Sequence, residues 1–324
     1  MSSGRHVIAR FSLPHWGVLV VLALLWARLI DHLRIEWTIN SQYAYGWAVP
    51  FLCLILGWRR WQETKAAPPP DASRNQSAGW ILLIAALLLY WPTRFIAEAN
   101  PDWRLVSWTL ALEVLAITWF WLPPLGVPRA VANFPLAFFL IAVPWPTQVE
   151  QAVIQTLTRA NAALTCELLN FAGIPTLVRG NVIEISTGLV GIDEACSGIR
   201  SLQATLMLGL FFGAWYRLRP GARAGLVGVG FGLALLFNLA RTLVLVTVAA
   251  KQGVTAIDRW HDPVGIGILL GCFGGVWVAA QWLLRRQAAG GAWARLRGDA
   301  IGFSGHSARA MPVASTAASM AQIH

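Results

Sequence analysis

The stretch 224-AGLVGVGFGLALLFNLARTLVLVTVA-249 decides the fold class, because it is a long apolar run with one charged side chain, Arg241. A helix needs about 20 consecutive apolar residues to cross a bilayer. The whole chain is 56% hydrophobic and 12% charged, whereas a soluble domain is typically about 25% charged. The sequence therefore predicts an all-α fold, a polytopic membrane helix bundle.

Similar apolar runs along the chain predict about eight membrane spans. The predicted spans cover residues 14–30, 43–58, 78–93, 104–122, 133–146, 199–216, 224–249 and 264–284. The second, third and fifth spans are short and contain proline, which membrane helices tolerate. We expect an integral membrane domain over residues 1–285. The Gly-, Ala- and Ser-rich residues 286–324 are predicted to form a disordered cytoplasmic tail.

The basic residues set the predicted orientation. The formal net charge is +10, and the strongest basic clusters lie at residues 59–60, 217–223 and 285–286. With the N-terminus inside, all three clusters fall on the cytoplasmic side, as the positive-inside rule requires. Both termini are then cytoplasmic. No basic helix with interleaved aromatic residues is evident, so the charge is interpreted as a topology signal and no nucleic-acid partner is expected.

The longest predicted outer segment covers residues 147–198 and contains two distinct patterns. Residues 148–172 carry apolar side chains at helical spacing, including Val149, Leu164 and Leu168, which predicts an amphipathic helix on the outer interface. Residues 178–182 read as a short hairpin with a Gly180-Asn181 turn. We expect the helix and hairpin to form a lid or a ledge for substrate.

The stretch 191-GIDEACSGIRSLQ-203 groups Asp193, Glu194, Cys196, Ser197 and Arg200 at the outer start of the sixth span. A helix N-terminus lowers the pKa of a nearby thiol. Arg200 follows Cys196 by four residues, on the same face of the predicted helix, and would reinforce the effect, whereas Glu194 would oppose it. The alternative is that Cys196 is a cysteine with only a packing role.

Two further polar positions fall on the same predicted membrane face. Arg241 lies in the outer half of the seventh span, roughly 13 Å from its end at 1.5 Å per residue, and Asn238 shares its helical face. His261 and Asp262 precede the eighth span. A charge within a span is costly and functional by default. The alternatives are an arginine that snorkels to the interface and an ordinary interfacial histidine.

Together these side chains are sufficient for acyl transfer. A Cys196 thiolate would attack a peptide carbonyl, and His261 would move the proton between the thiol and the leaving amine. Arg241 would stabilise the oxyanion or hold a carboxylate. Asp262 could orient the imidazole, and Asn238 could orient Arg241. No C-x-x-C or His/Cys metal-ligand spacing occurs, so neither a metal nor a cofactor is expected. The sequence leaves open whether Cys166 and Cys196 form a disulfide.

The motifs E-A-C-S-G at 194–198, N-x-x-R at 238–241 and His-Asp at 261–262 resemble the exosortase/archaeosortase family. The segment 43-YAYGWAVPFLCLILGWRR-60 is similar to that family's second span. The resemblance covers roughly residues 40 to 284. It implies a cysteine transpeptidase of the inner membrane, with its active site on the outer, periplasmic face.

The resemblance also implies the substrates and the catalytic residues. The partners would be exported proteins with a C-terminal signal made of a short motif, a membrane helix and a basic cluster. By position, Cys196 is the nucleophile, with Arg241 and His261 as the other catalytic residues. The sorting motif and the acceptor are left open.

Two other functional classes compete with this reading. A multispan polysaccharide polymerase or ligase, or an exopolysaccharide export component, would also place Arg and His on the outer face, but it needs no thiol. A transporter would spread polar residues through both leaflets, whereas the intramembrane charges here lie mostly near the outer side. Glu113, in the fourth span, is an exception to that pattern.

Overall fold

The computed structural model describes residues 13–64, 76–100, 103–192 and 198–305, and these residues are mostly helical. In the order of the chain, the helices are α1 (Leu13–Ile39), α2 (Val49–Thr64), α3 (Gln76–Ala99), α4 (Arg104–Trp121), α5 (Arg129–Phe139), α6 (Thr147–Phe171), α7 (Ile199–Trp215), α8 (Pro220–Gln252) and α9 (Ala256–Gly305). Two 3-10 helices, Ser41–Trp47 and Leu140–Ala142, precede α2 and follow α5. The predicted helical membrane fold is therefore confirmed.

The predicted number of eight spans is not confirmed. Among the described residues, three helices are long and apolar enough to cross a membrane, namely α4, α8 and the Ala256–Ala289 part of α9. A fourth is counted if Arg129–Ala142 and Thr147–Phe171, which meet at a bend of 69°, form one broken span. Helices α2 and α7 have 16 and 17 residues, fewer than the ~20 that a bilayer core requires.

Small residues let α7 and α8 pack closely in an antiparallel hairpin. A Cβ atom added at Gly209 would lie 3.3 Å from Val227, and one added at Gly230 would lie 3.2 Å from Thr205. Lipid tails are as apolar as leucine, so close backbone approach replaces the hydrophobic effect as the force that joins membrane helices. This hairpin fixes the start of α7 relative to α8.

A large apolar cluster joins α1, α2, α4, α5 and α7. Its most buried members include Leu29, Trp37, Tyr43, Ala111 and Phe139. Polar atoms within it find partners: the Trp37 indole donates to the Ala142 carbonyl at 2.8 Å. Glu113 of α4 differs, because its buried carboxylate oxygens have no hydrogen-bond partner among the described residues.

Helix α6 begins at Thr147 and ends at Phe171, close to the predicted limits of residues 148–172. Its apolar positions Val149, Leu164 and Leu168 are exposed. Its buried face is mixed and contains polar Glu150, Thr158, Asn161 and Thr165 beside apolar Ile154, Ala162, Cys166 and Leu169. A stripe of apolar side chains on this helix is therefore turned outward, as a lipid-facing surface requires, and a mixed face packs against protein.

The predicted hairpin is confirmed and extends into a three-stranded antiparallel sheet. Strands β1 (Thr176–Arg179) and β2 (Val182–Ile185) flank the Gly180-Asn181 turn, and β3 (Gly188–Gly191) pairs with β2. Buried isoleucines and valines on one side of the sheet pack with Ala162 and Leu169 of α6 and with Val246 and Ala249 of α8. The sheet is thus held against two helices.

Helix α9 begins at Ala256, eight positions before the predicted start of the eighth span, and continues to Gly305. His261 and Asp262 therefore lie inside the helix rather than in a loop before it. Asp258 in the first turn favours this early start, although Pro263 cannot donate a helical hydrogen bond.

The chain divides into two compact units at Ala280. The second unit begins at Gln281 and holds the C-terminal part of α9, where the Arg286 guanidinium lies 3.8 Å from the centre of the Trp282 ring. Residues 286–305 continue α9, whereas residues 306–324 lie outside the described residues, and for them the disordered tail stays a prediction.

Candidate functional site

Arg241 and His261 meet between α8 and α9. Arg241 Nη2 lies 2.8 Å from His261 Nε2. The helices reach this geometry through a tight connection at Gly253, whose φ of 90° lies in the range that favours glycine. Gly265 lies beside the guanidinium, where a Cβ atom would make ordinary van der Waals contact at 3.5 Å from Arg241 Nη2. Two of the predicted site residues are therefore in direct contact.

The hydrogen bonds of His261 define its tautomer. A guanidinium has only N–H donors, so His261 Nε2 must accept the hydrogen bond from Arg241. The Nδ1–H group is then free to donate to Asp262 Oδ1, 3.0 Å away. In this arrangement Nε2 of the imidazole is engaged by Arg241. The side chain of Asp262 is 88% exposed, so solvent screens its charge.

Asn238 lies one helical turn before Arg241 and is buried. Its side chain fills the space beside Gly198: a Cβ atom on Gly198 would lie 2.8 Å from Asn238 Cγ. Gly198 also has a φ of 85°, which disfavours any residue with a side chain. The sequence predicts that Asn238 orients Arg241. The structure adds that it packs against the residue that precedes α7.

Residues 193–197 lie outside the described residues, and with them Glu194, Cys196 and Ser197. The structure does describe the residues on either side of this segment. Ile192 is buried, and its N–H donates to the Asn181 carbonyl at 2.8 Å. Gly198 packs against Asn238. The segment that carries Cys196 is therefore anchored at one end to the sheet and at the other to α8.

Arg200 lies in the first turn of α7, and its guanidinium donates to the hydroxyl of Ser41. The sequence predicts Arg200 and Cys196 on one helical face, and Cys196 lies outside the described residues. Helix α7, which carries Arg200, begins at Ile199 after the left-handed N-cap Gly198. A supporting role for Arg200 stays a prediction.

Asn161 and Thr242 support the site and were missed from the sequence. Asn161 Nδ2 of α6 donates to Thr242 Oγ1 at 2.6 Å, and Thr242 Oγ1 donates to the Asn238 carbonyl at 3.1 Å. Both residues are buried, so these hydrogen bonds connect α6 to the turn of α8 between Asn238 and Arg241. The spacing of Thr158, Asn161 and Thr165 along one face of α6 was the available signal.

A cavity of about 650 Å³ opens beside His261, within the range of ~300–1,000 Å³ typical of ligand sites. Strand β3 and the residue after it supply an apolar wall, including Leu189, Val190 and Ile192. His261, Asp262 and Asp258 supply the polar side. The cavity thus combines apolar lining with a few convergent polar groups, as ligand sites commonly do.

Two further features of the described residues concern metal ligands and cysteines. No group of three or more His, Cys, Asp or Glu side chains that could hold a metal occurs among them. Cys166 is a buried free thiol whose sulfur lies 3.2 Å from Thr176 Oγ1. Cys196, the other half of the disulfide that the sequence left open, lies outside the described residues.

Comparison with known proteins gives one match. The family model for the transmembrane exosortase (Exosortase_EpsH) matches residues 37–278. That range includes Gly198, Asn238, Arg241 and His261 and covers most of the chain. No curated protein and no solved structure matches.

Proposed function

Because the chain belongs to the transmembrane exosortase family, we propose that it is a membrane-embedded cysteine transpeptidase. Its substrates are exported proteins that carry a C-terminal sorting signal. The enzyme cleaves the signal through a thioester intermediate and transfers the protein to an acceptor. The active site faces the outer side of the inner membrane.

Two contacts carry this proposal, because they bring the start of α7 and His261 of α9 to the same stretch of α8. Gly198, two residues after Cys196, packs against Asn238. Arg241 lies one turn further along α8 and contacts His261 of α9. This arrangement supports a thiol, a guanidinium and an imidazole that act on one substrate, and the cavity beside His261 offers the substrate a place to bind.

In the first step, the Cys196 thiolate attacks the scissile carbonyl, and a carbon–sulfur bond forms. The carbonyl oxygen becomes an oxyanion, which Arg241 stabilises by charge-assisted hydrogen bonds. Arg241 turns from His261 to the carbonyl oxygen as the substrate binds, before the attack, and this frees His261 Nε2 to take the thiol proton. His261 then gives that proton to the leaving amine. The carbon–nitrogen bond then breaks, and the signal leaves with a free amine.

In the second step, a nucleophile on the acceptor attacks the thioester. His261 takes the proton of that nucleophile and returns it to the departing sulfur. The Cys196 thiol is regenerated, so the cycle requires neither an oxidant nor a reductant. The resting contact between Arg241 and His261 has a further consequence: the base becomes available only when substrate has drawn the guanidinium away.

Trapping of the thioester tests the proposal. We expect the full chain, co-expressed with candidate sorting-signal proteins from its own genome, to form a hydroxylamine-sensitive adduct and to shorten its substrate. Cys196→Ala should remove both products. Cys53→Ala is the matched control, because Cys53 is a free, half-buried thiol of α2 and its loss should leave both products unchanged.

Substrate that is still shortened by Cys196→Ala would contradict the proposal. The thiol would then serve in packing, and a polysaccharide enzyme that uses the same Arg and His would become the better explanation.

A further inference from the structure

A second cavity, of about 380 Å³, lies where four helices begin or end. Its lining includes the last turns of α2 and α7, the first turn of α5 and the first turn of α8. Arg223, which lines it, precedes Arg241 by 18 positions on α8, which is roughly 27 Å of helix. The cavity is therefore near the opposite end of α8 from the candidate active site.

The cavity is strongly basic. Arg59, Arg60, Arg217 and Arg223 line it, and Glu63 is the one acidic side chain in the described lining. Glu63 forms ion pairs with both Arg59 and Arg217, so one carboxylate faces four guanidinium groups. Arg60 lies beyond the predicted second span. Burial, followed by the positive charges of Arg223 and Arg217, lowers the pKa of its guanidinium below the ordinary value.

The arginines are held in place by neighbouring groups. Arg59 donates to the Trp215 carbonyl and stacks 4.3 Å from the Trp215 ring. Arg60 donates to the Ala130 carbonyl at 3.2 Å, and Arg223 donates to the Leu218 carbonyl at 2.7 Å. Each of these bonds uses only part of a guanidinium, which has five N–H donors. The charges are thus pre-positioned around a shared space.

The backbone of Arg217 adopts a conformation that is unfavourable for a residue with a side chain. Its φ of 52° makes it the one non-glycine residue with positive φ in the described chain. It follows the end of α7 in a Schellman motif, in which the Leu218 N–H bonds to the Gly213 carbonyl and the Arg217 N–H to the Ala214 carbonyl. Glycine is the usual residue there. An arginine in a position that favours glycine points to a function for its side chain.

The positive-inside rule alone explains basic residues near helix ends, but it does not explain their arrangement. Arginines that only set topology need no common cavity. Here they come from three separate helix ends and surround one concavity, in which Glu63 is the one acidic side chain of the described lining. Guanidinium groups bind phosphate oxygens in pairs of parallel hydrogen bonds. Basic pockets between helices at a membrane surface bind the head groups of anionic lipids.

We propose that this cavity binds a phosphate group, supplied by the head group of an anionic phospholipid or by free phosphate. Arg60, Arg217 and Arg223 provide the donors. Thr64, in the last turn of α2, adds a hydroxyl to the lining. The site is independent of the proposed transpeptidase activity, since none of its residues takes part in that chemistry.

Two variants of one loop provide the test. Arg217→Gly removes a cavity guanidinium and places the preferred residue in the left-handed position, so the fold should not be weakened. Arg219→Gly removes the same charge two residues away, at the N-cap of α8, where glycine is also accepted. Arg219 does not line the cavity. Arg60→Gln is a second cavity variant for the case in which Arg217→Gly is poorly produced.

Two probes distinguish the sources of phosphate. Inorganic phosphate is titrated into the lipid-depleted full chain at constant ionic strength. Separately, the chain is reconstituted in nanodiscs of phosphatidylglycerol with phosphatidylcholine, and retained phosphatidylglycerol is counted by native mass spectrometry. We expect Arg217→Gly to weaken binding of the effective probe about tenfold, which is one lost charge-assisted hydrogen bond. Arg219→Gly should change it less than about twofold.

Retention of phosphatidylglycerol supports a lipid site, and a response to phosphate alone supports a site for the free anion. Equal effects of Arg217→Gly and Arg219→Gly would overturn the proposal, because the arginines would then act only through total charge. An absence of binding by the unmodified chain in both experiments would overturn it as well.

Discussion

Gly198 is the residue on which the geometry of the candidate site depends most directly. Two separate constraints act on it, a left-handed backbone and the contact with Asn238. Gly173 shares the first constraint, with a φ of 79°, but a Cβ atom there would meet nothing within 4 Å. Alanine variants of the two glycines therefore separate the cost of a left-handed backbone from the cost of displacing Asn238.

We predict that Gly198→Ala reduces the rate of substrate shortening more than tenfold, whereas Gly173→Ala leaves the rate within about threefold. Both variants bear a backbone cost of roughly 1–2 kcal/mol, so their thermal stabilities measure that shared term. Only the first displaces Asn238. Equal losses of activity in the two variants would show that the contact with Asn238 has no functional role.

His261 and Asp262 should differ in importance because their exposure differs. The carboxylate of Asp262 is 88% exposed, and an exposed partner contributes little orientation energy. We predict that His261→Gln lowers the shortening rate by about 10²-fold or more, as expected for a general base, and that Asp262→Asn lowers it less than tenfold. Comparable losses would mean that the two residues act as one unit.

The sequence predicted that Arg241 and His261 lie on the same side of the membrane, and their contact agrees with that prediction. It did not predict which nitrogen atoms of the two side chains are in contact, because that depends on how α8 and α9 pack. Thr242 was passed over for a similar reason. A threonine in an apolar helix is unremarkable until Asn161 of another helix is seen to donate to it.

At the scale of elements, α6 shows what an apolar pattern can and cannot predict. The pattern predicted the helix and its limits well. It could not by itself say which face contacts protein, because lipid accepts apolar side chains as readily as a protein core does. Strand β3 was missed because Gly188-Leu-Val-Gly191 has glycine at both ends, and glycine is depleted in strands.

The outward apolar face of α6 gives a prediction for spin labels. A nitroxide at Leu164 should be relaxed strongly by oxygen, which is enriched in lipid, because Leu164 is an exposed member of the apolar face. A nitroxide at Gln155, exposed among polar neighbours, should respond more to a water-soluble nickel complex. The same response at both positions would exclude contact of this face with the bilayer.

For the whole molecule, the length of α8 sets the distance between the basic cavity and the candidate active site. Its 33 residues extend roughly 50 Å at 1.5 Å per residue, well beyond the ~30 Å hydrocarbon core. Arg219 precedes the helix, and Asp258 follows it in the first turn of α9. A single crossing of the membrane by α8 would therefore place the two residues on opposite sides.

In a chain without its other cysteines, we predict that Arg219→Cys reacts with a membrane-impermeant maleimide only after the cells are opened. Asp258→Cys should react in intact cells whose outer membrane has been permeabilised. This outcome would place the basic cavity in the cytoplasm and His261 outside it. The reverse result would invert the predicted orientation, and reaction of both cysteines from one side would exclude a single crossing by α8.

The order in which the ribosome makes these parts has a consequence for the cell. Cys196 is made first, Arg241 next, and His261 only with the last described helix. At ~5–20 residues per second, roughly 3–13 seconds separate Cys196 from His261. A nascent or prematurely terminated chain that stops before α9 cannot form the Arg241–His261 contact. Synthesis itself thus delays the assembly of the Arg241–His261 contact, and under the proposed function this delay would keep incomplete chains from attacking proteins that are still being exported beside them.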